Sequence, residues 1–397
     1  MKKIIFVLCV LLVFLLVVWL VVRMNKNQSL QVGYHASERD EKITILDMDD
    51  LEHRAKNIIT QGGFDYIAGG AETEETMRRN TLAFDSVDII PRVLTGVVAP
   101  NTQTSIFGIN ISLPVIAAPA AAHGLAHVSA EAGSARGVAA AGTIMCVSNF
   151  ASSTLEEIRI AGNGAPQWFQ LYLSKDDEFN RQIVKRAENL GYSAIILTVD
   201  APIGGNRWRD AKNNFRFPLE LPNVAKKMGV TKGQGISKIF AASQNRFTPY
   251  DIVYLKTLTD LPVLVKGIQH PDDAEIAIMA GADAIWISNH GGRQLDGGPA
   301  SFEVLTEIAE RVNNRVPIIF DSGIRRGQHI FKAIASGAYI VAIGRPVIYG
   351  LALGGWRGVE SVFEYLQSDL QRVMWLAGTQ TIEDIKNVEL RPRCITQ

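Results

Sequence analysis

Eight short apolar runs, each ending in a polar residue or a glycine, constrain the fold of this chain more than any other feature. They are PVIAAPA from Pro114, TIMCVS from Thr143, QWFQLYL from Gln167, AIILTVD from Ala194, PVLVKG from Pro262, AIWISNH from Ala284, PIIFDSG from Pro317 and YIVAIGR from Tyr339. Between most of them lie stretches whose apolar residues recur at helical spacing, such as NRQIVKRAENLGY, DDAEIAIMAGA, SFEVLTEIAERV and GQHIFKAIASGA. Several of these end on glycine, as helices prefer. A continuous apolar run is a strand that must be covered on both faces. Eight of them, alternating with helices, predict a closed parallel (β/α)8 TIM barrel, in which no strand is left as an edge. An open doubly wound sheet is the rival. It would use fewer strands and a G-x-G-x-x-G turn after the first, and APAAAHGLAH is not one. Ahead of the barrel, residues 47–62 carry helical spacing, and residues 72–80 can open a further helix. One long interruption, about residues 201–261, follows the fourth run and is expected to form a lid over the site.

The amino end is a different kind of sequence. Residues 4–22 carry no charge and are bounded by Lys2, Lys3 and Arg23. At about 1.5 Å per residue the run just spans a hydrocarbon layer of about 30 Å. It is long for a signal peptide and no small-x-small cleavage pattern follows it, so a retained single transmembrane helix is expected. The organisation read from sequence is an anchor over 1–24, a polar tether over 25–42 and a catalytic barrel over 43–397. The expected location is the membrane, with the catalytic domain on the cytoplasmic side favoured. The formal net charge is zero and there is no dense basic run, which excludes a nucleic-acid partner. Cys9, Cys146 and Cys394 fit neither a disulfide framework nor a metal-ligand spacing, so no metal is expected. Cys146, inside TIMCVS, reads as a small core residue.

Ligands of such barrels sit at the carboxyl ends of the strands. Standing there are Ser148 and Asn149, Gln170 and Tyr172, Thr198 and Asp200, Lys266, Ser288 to His290, Asp321 and Gly323, and Gly344 with Arg345. Any one of them could be a strand-end cap facing water. Chance would scatter polar residues over both strand ends, whereas these close almost every run. SNHGGRQLDGG, residues 288–298, adds an imidazole that exchanges protons near neutrality, a guanidinium that grips anions, and four glycines that let backbone approach a ligand. SGIRRG (322–327) and Gly344–Arg345 gather amides and arginines after the last two strands, where this fold commonly holds phosphate. Lys266 follows an apolar run and needs an anionic partner. A cofactor with a phosphate and an electron-rich ring satisfies both requirements.

The motifs GGFDYIAGGA, FQLYLSKDD, LTVDAPIGGNR, LVKG, SNHGGRQLDGGPASF, FDSGIRRGQHIFKAIASGA and GRPVIYGLALGG resemble those of the FMN-dependent 2-hydroxy-acid oxidases and dehydrogenases, from about residue 43 to the carboxyl end. GGNR and GGPASF bring the chain nearest to that family's bacterial L-lactate oxidases. The resemblance implies FMN as cofactor and His290 as catalytic base, with Asp200 as its carboxylate partner. It implies Arg293 and Arg207 as the clamp on the substrate carboxylate, assisted by Tyr66, and Tyr172 as the hydrogen-bonding partner of the substrate oxygen. Ser148, Gln170, Thr198, Lys266 and Ser288, with Ala120 and Ala121 beside them, would hold the flavin ring. Asp321, Gly323, Arg325, Gly344 and Arg345 would hold ribityl and phosphate. The family also implies a homo-oligomer, often a tetramer.

One departure concerns the lid. No tyrosine lies between Arg207 and Thr248, where the oxidases place one, and Phe240 is the candidate for that place. The anchor departs too, since it suits a dehydrogenase that passes electrons to quinone better than an oxidase that passes them to oxygen. The sequence therefore carries an L-2-hydroxy-acid (L-lactate) oxidase reading, a membrane-anchored dehydrogenase alternative and, remotely, an inactive flavin-binding interaction module.

Overall fold

All eight apolar runs are strands. They are β1 (Val115–Ala117), β2 (Met145–Ser148), β3 (Gln167–Leu171), β4 (Ile195–Thr198), β5 (Val263–Ile268), β6 (Ala284–Ile287), β7 (Ile318–Phe320) and β8 (Ile340–Ile343). The computed structural model describes residues 34–225 and 243–393, together with 16, 229, 232–234, 240 and 241. The strands pair in parallel in chain order, and β8 closes on β1, giving the TIM barrel. The anchor expected over residues 4–22 lies, Leu16 apart, outside the described residues. Among the described residues no helix is long and apolar enough to cross a membrane.

Among residues 34–114, three α-helices precede the barrel: α1 (Met48–Lys56), α2 (Gln61–Ala68) and α3 (Glu75–Leu82). The helical spacing over residues 47–62 is thus divided between two helices. Asp47 caps α1, the helix ends at Asn57, and the β-branched stretch Ile58-Ile59-Thr60 is a poor helix former that leads into α2. The helices that follow strands are α4 (Ala130–Ala140), α5 (Leu155–Ala161), α6 (Asp177–Asn189), α7 (Trp208–Lys212), α8 (Pro249–Leu258), α9 (Pro271–Met279), α10 (Ser301–Val312), α11 (Gly327–Ala335) and α12 (Arg345–Ala377). α7 and α8 both lie in the long insertion between β4 and β5.

The barrel interior explains the position of the site. Ile116, Cys146, Trp168, Ile196, Leu264, Trp286, Ile319 and Ala342, one from each strand, belong to a single buried cluster. The antiparallel ribbon Thr104–Ile106 and Ile109–Ile111 joins that cluster through Ile106 and Ile111. A buried tryptophan of this kind contributes on the order of 3–5 kcal/mol relative to alanine. Side chains alternate faces along a strand, so the next inward position lies two residues on. Those positions are Ala118, Ser148, Gln170, Thr198, Lys266, Ser288, Asp321 and Gly344. An apolar layer is therefore followed, toward the carboxyl ends, by a mostly polar one.

Candidate active site

Above the polar layer opens a cleft whose free space, counted out to solvent, is about 1140 Å³, large enough for a cofactor together with a small substrate. Ser148, Lys266, Asp321 and Gly344 line it, as do Ala120 and Ala121 from the segment after β1. Gln170, Thr198 and Ser288 are buried and hydrogen-bond within the same layer. Gln170 Nε2 donates to Thr198 Oγ1 at 3.0 Å, and Lys266 Nζ donates to Ser288 Oγ at 2.9 Å. The anionic partner that Lys266 needs is partly resident: Asp321 Oδ2 lies 3.6 Å from its Nζ. Asp321 is held in turn by Trp286 Nε1 at 2.9 Å and by the Ser322 hydroxyl at 2.8 Å.

His290 stands on the loop after β6. Its Nδ1 lies 2.9 Å from Asp200 Oδ1 and 3.1 Å from Oδ2, and its Nε2 lies 3.3 Å from the Tyr172 hydroxyl. Asp200 can only accept while ionised, so Nδ1 carries the proton and Nε2 keeps its lone pair toward the cleft. Burial pushes the His290 pKa down, aided by Lys266 and Arg293 and opposed by Asp200. For Asp200, burial opposes ionisation, but the charges of His290 and Lys266 and the hydrogen bond from His290 together bring its pKa below the usual carboxylate value. The pair thus rests as neutral imidazole and carboxylate. Burial raises the Tyr172 pKa strongly, so its hydroxyl stays a donor.

The glycines of this loop, of which Gly291 lines the cleft, also serve its packing. His290, Gly291 and Gly292 are three consecutive residues with positive φ, at 59°, 65° and 72°. A Cβ on Gly292 would come within 2.5 Å of the Met77 backbone, and one on Gly291 within 2.8 Å of Arg345 Nη1. They let the loop lie against α3. Asn80 of α3 and Asn289 exchange amide hydrogen bonds at 2.9 and 2.6 Å, and Asp296 accepts from Thr73 and Thr76. A second glycine governs Asp200. The β5–β6 register shifts between Lys266 and Ile268, and Gly267 there has φ 109°. A Cβ on Gly267 would lie 2.5 Å from Asp200 Cβ. Gly267→Ala is therefore expected to displace Asp200 from His290 and slow turnover by about 10² to 10³-fold while the polar layer below stays in place. Turnover within threefold of wild type would show that Asp200 tolerates the methyl group.

Three arginines converge beside this dyad. Arg207 and Arg293 each place their guanidinium carbon 5.2 Å from the ring centre of Tyr66, which stacks on Phe215 in the segment after α7. Arg293 Nη1 donates to the carbonyls of Ile67 and Gly69 at 3.2 and 2.8 Å. Those carbonyls end α2, where cations are favoured. Burial, with Arg207 and Arg345 nearby, lowers the Arg293 pKa to about 9, which still leaves it a cation at neutral pH. Arg345, expected at a phosphate, lines the cleft but commits its guanidinium to the carbonyls of Ile67, Gly291 and Gly69 at 3.1, 3.0 and 2.9 Å.

At the other end of the cleft stand Gly323, Arg325 and Gly344, which precedes α12. A side chain on Gly323, at φ 88°, would collide with the Asn80 carbonyl, whereas one on Gly344 would meet open space. The turn here is braced by His329, which sequence reasoning missed. Arg326 Nε donates to its Nε2 at 2.8 Å, and its Nδ1 lies 3.1 Å from the Gly323 carbonyl. Burial, reinforced by Arg326, pushes its pKa down to about 3, so it is a neutral strut. Also missed was most of the cleft's apolar wall, Phe150, Phe217 and Leu221. Phe240, proposed for the lid, joins them, packing edge-on against Phe150 and Tyr172 at 5.8 and 5.7 Å.

Comparison with known proteins places this geometry. The profile of the family described as FMN-dependent dehydrogenase matches residues 55–392. The chain is 51% identical over 359 residues to an L-lactate oxidase of Lentilactobacillus hilgardii, covering 90% of this chain and 97% of that one. It is 41% identical to a 2-hydroxyacid oxidase of Dictyostelium discoideum, covering 91% and 95%. Among solved structures, a lactate oxidase of Pediococcus acidilactici is similar with a TM-score of 0.87 and 52% identity, covering 91% and 98% of the two chains. A mandelate oxidase is similar with a TM-score of 0.82 and 35% identity, covering 88% and 99%. With a match of this length on a barrel carrying this cleft, the chain belongs to the FMN-dependent dehydrogenase family.

Proposed function

We propose that this protein oxidises an L-2-hydroxy acid, with L-lactate as the first candidate, to the 2-keto acid, and that oxygen receives the electrons to give hydrogen peroxide. The observation that carries the reading is the line Asp200, His290, Tyr172 beside two cleft-facing arginines. Oxidation of such an acid removes two electrons and two protons, so a base and an electron sink are needed together. The donor set fits FMN: a buried polar layer in which Lys266 and Asp321 lie side by side, with Gly323, Arg325 and the open Gly344 turn lining the same cleft. FMN, when bound, supplies the acceptor for the electron pair. Ser148, Gln170, Thr198, Lys266 and Ser288, with Ala120 and Ala121 alongside, would hold its ring. Asp321, Gly323, Arg325, Gly344 and the Arg345 backbone would hold its ribityl phosphate.

Arg207 and Arg293 grip the substrate carboxylate, which selects acids over simple alcohols. Tyr172 hydrogen-bonds the substrate oxygen, and Nε2 of His290 takes a proton. Asp200 then stabilises the imidazolium. Lys266 places a positive charge where negative charge accumulates.

The lactate and 2-hydroxyacid oxidases among the relatives favour oxygen as acceptor. The uncharged run 4–22 favours attachment to a membrane, where quinone is available. The test is anaerobic mixing of the yellow protein with a panel of L-2-hydroxy acids, followed by reoxidation with air or a soluble quinone. L-Lactate is expected to bleach the flavin, and air to restore it faster than quinone. The rate of bleaching is lost as pH falls through the His290 pKa, so its acid limb is expected below pH 6.5, the ordinary histidine value. A protein that L-lactate leaves yellow would overturn the reading.

A further inference from the structure

Three residues after Arg207, on α7, Asp210 points a carboxylate at the back of the arginine clamp. Arg207 lines the cleft and Asp210 does not. Arg207 Nη1 and Asp210 Oδ2 are 3.9 Å apart, with side chains 7% and 12% exposed. Both Asp210 oxygens are buried without a hydrogen-bond partner among the described residues, and so are Nε and Nη1 of Arg207. Nearby Asp65 is different, since it accepts from Gln61 and Asn213. A buried ion pair in contact by charge but not by hydrogen bonds is costly, and it leaves the charge of the guanidinium only partly matched within the protein.

Resting on the proposed clamp, we propose that Asp210 is a positioning residue that sets the anion affinity of the site. It is a resident carboxylate that competes with the substrate and product carboxylates for the charge of Arg207. With Asp210 ionised, the two clamp arginines present a net charge of one, matched to a single carboxylate. Without it they present two, and the product anion is held more tightly. At an effective dielectric of about 20, two unit charges about 8 Å apart interact by roughly 2 kcal/mol, so removing the Asp210 charge is expected to tighten binding by about thirtyfold.

The experiment is calorimetric titration of holoenzyme with pyruvate and with acetate, for wild type, Asp210→Asn and Asp210→Ser, the second removing the charge with a smaller side chain. Both variants are expected to bind both carboxylates about thirtyfold more tightly. Their anaerobic reduction rate should stay near wild type while aerobic kcat falls, because product release slows. A merely structural aspartate could loosen binding or lower every rate, but it would not tighten binding. Unchanged or weaker binding in whichever variant retains its flavin would overturn the proposal, and so would loss of flavin from both. Wild-type enzyme that binds neither carboxylate would instead sink the clamp reading, and it would do so before any variant is made.

Discussion

The His290→Ala protein is expected to purify with its flavin and to lose anaerobic reduction by L-lactate by about 10³ to 10⁴-fold, the range that a positioned base contributes. The structure separates the two effects because His290 does not share the polar layer that would hold the ring; it stands on the loop beyond β6. Its loss leaves the buried Asp200 carboxylate without its hydrogen-bonding partner, which costs about 1–3 kcal/mol and raises the Asp200 pKa. Alanine also fits poorly at φ 59°. His290→Asn is the control for both, since asparagine tolerates positive φ and can donate to Asp200 but cannot take a proton. Equal loss of reduction in both variants, with flavin content and melting temperature preserved in the second, assigns the loss to proton transfer. Rapid reduction of either variant would remove His290 from the role of base.

Much of this architecture is legible in the chain itself, because it follows from periods. A run with no polar face must be a strand covered on both sides, and a polar residue two positions beyond an inward apolar one must enter the next layer of the barrel. Ser148, Gln170, Thr198, Lys266 and Asp321 are visible in that way before any contact is known. Contacts between distant segments are not. Nothing near Asn80 signals that it pairs with Asn289, 209 positions away, or that the carbonyls ending α2 receive Arg293 and Arg345. Gly267 looks like an ordinary strand-end glycine until Asp200 is seen packed on it. Arg345 shows the limit most clearly. An arginine at the start of a helix after β8 reads as a phosphate ligand, but its guanidinium is engaged by three backbone carbonyls. Phe217 and Leu221 had no periodic strand or helix to place them, since they lie in the insertion.

Arg293→Lys is expected to lower kcat/KM for L-lactate by on the order of 10³-fold, chiefly through KM, although the charge is kept. Arg293 spends Nη1 on the carbonyls of Ile67 and Gly69, and no hydrogen bond from its Nε or Nη2 to a described residue competes with the cleft. One planar group therefore anchors to α2 and still presents donors to a carboxylate. A lysine ammonium is a single point and cannot do both. Removing one partner of a buried, hydrogen-bonded charge pair costs about 2–5 kcal/mol, and each 1.4 kcal/mol is about tenfold. The fold should survive, because Arg345 keeps its own bonds to the same two carbonyls and holds α2 in place. Arg207→Lys is expected to be milder. Nε and Nη1 of the Arg207 guanidinium have no hydrogen-bond partner among the described residues, so an ammonium there forfeits geometry toward the substrate but no such anchor in the protein. Steady-state kinetics of the two variants side by side decide the matter. If Arg293→Lys stays within threefold of wild type, or if Arg207→Lys is the more damaged of the two, then the α2 carbonyls do not set the orientation of the clamp.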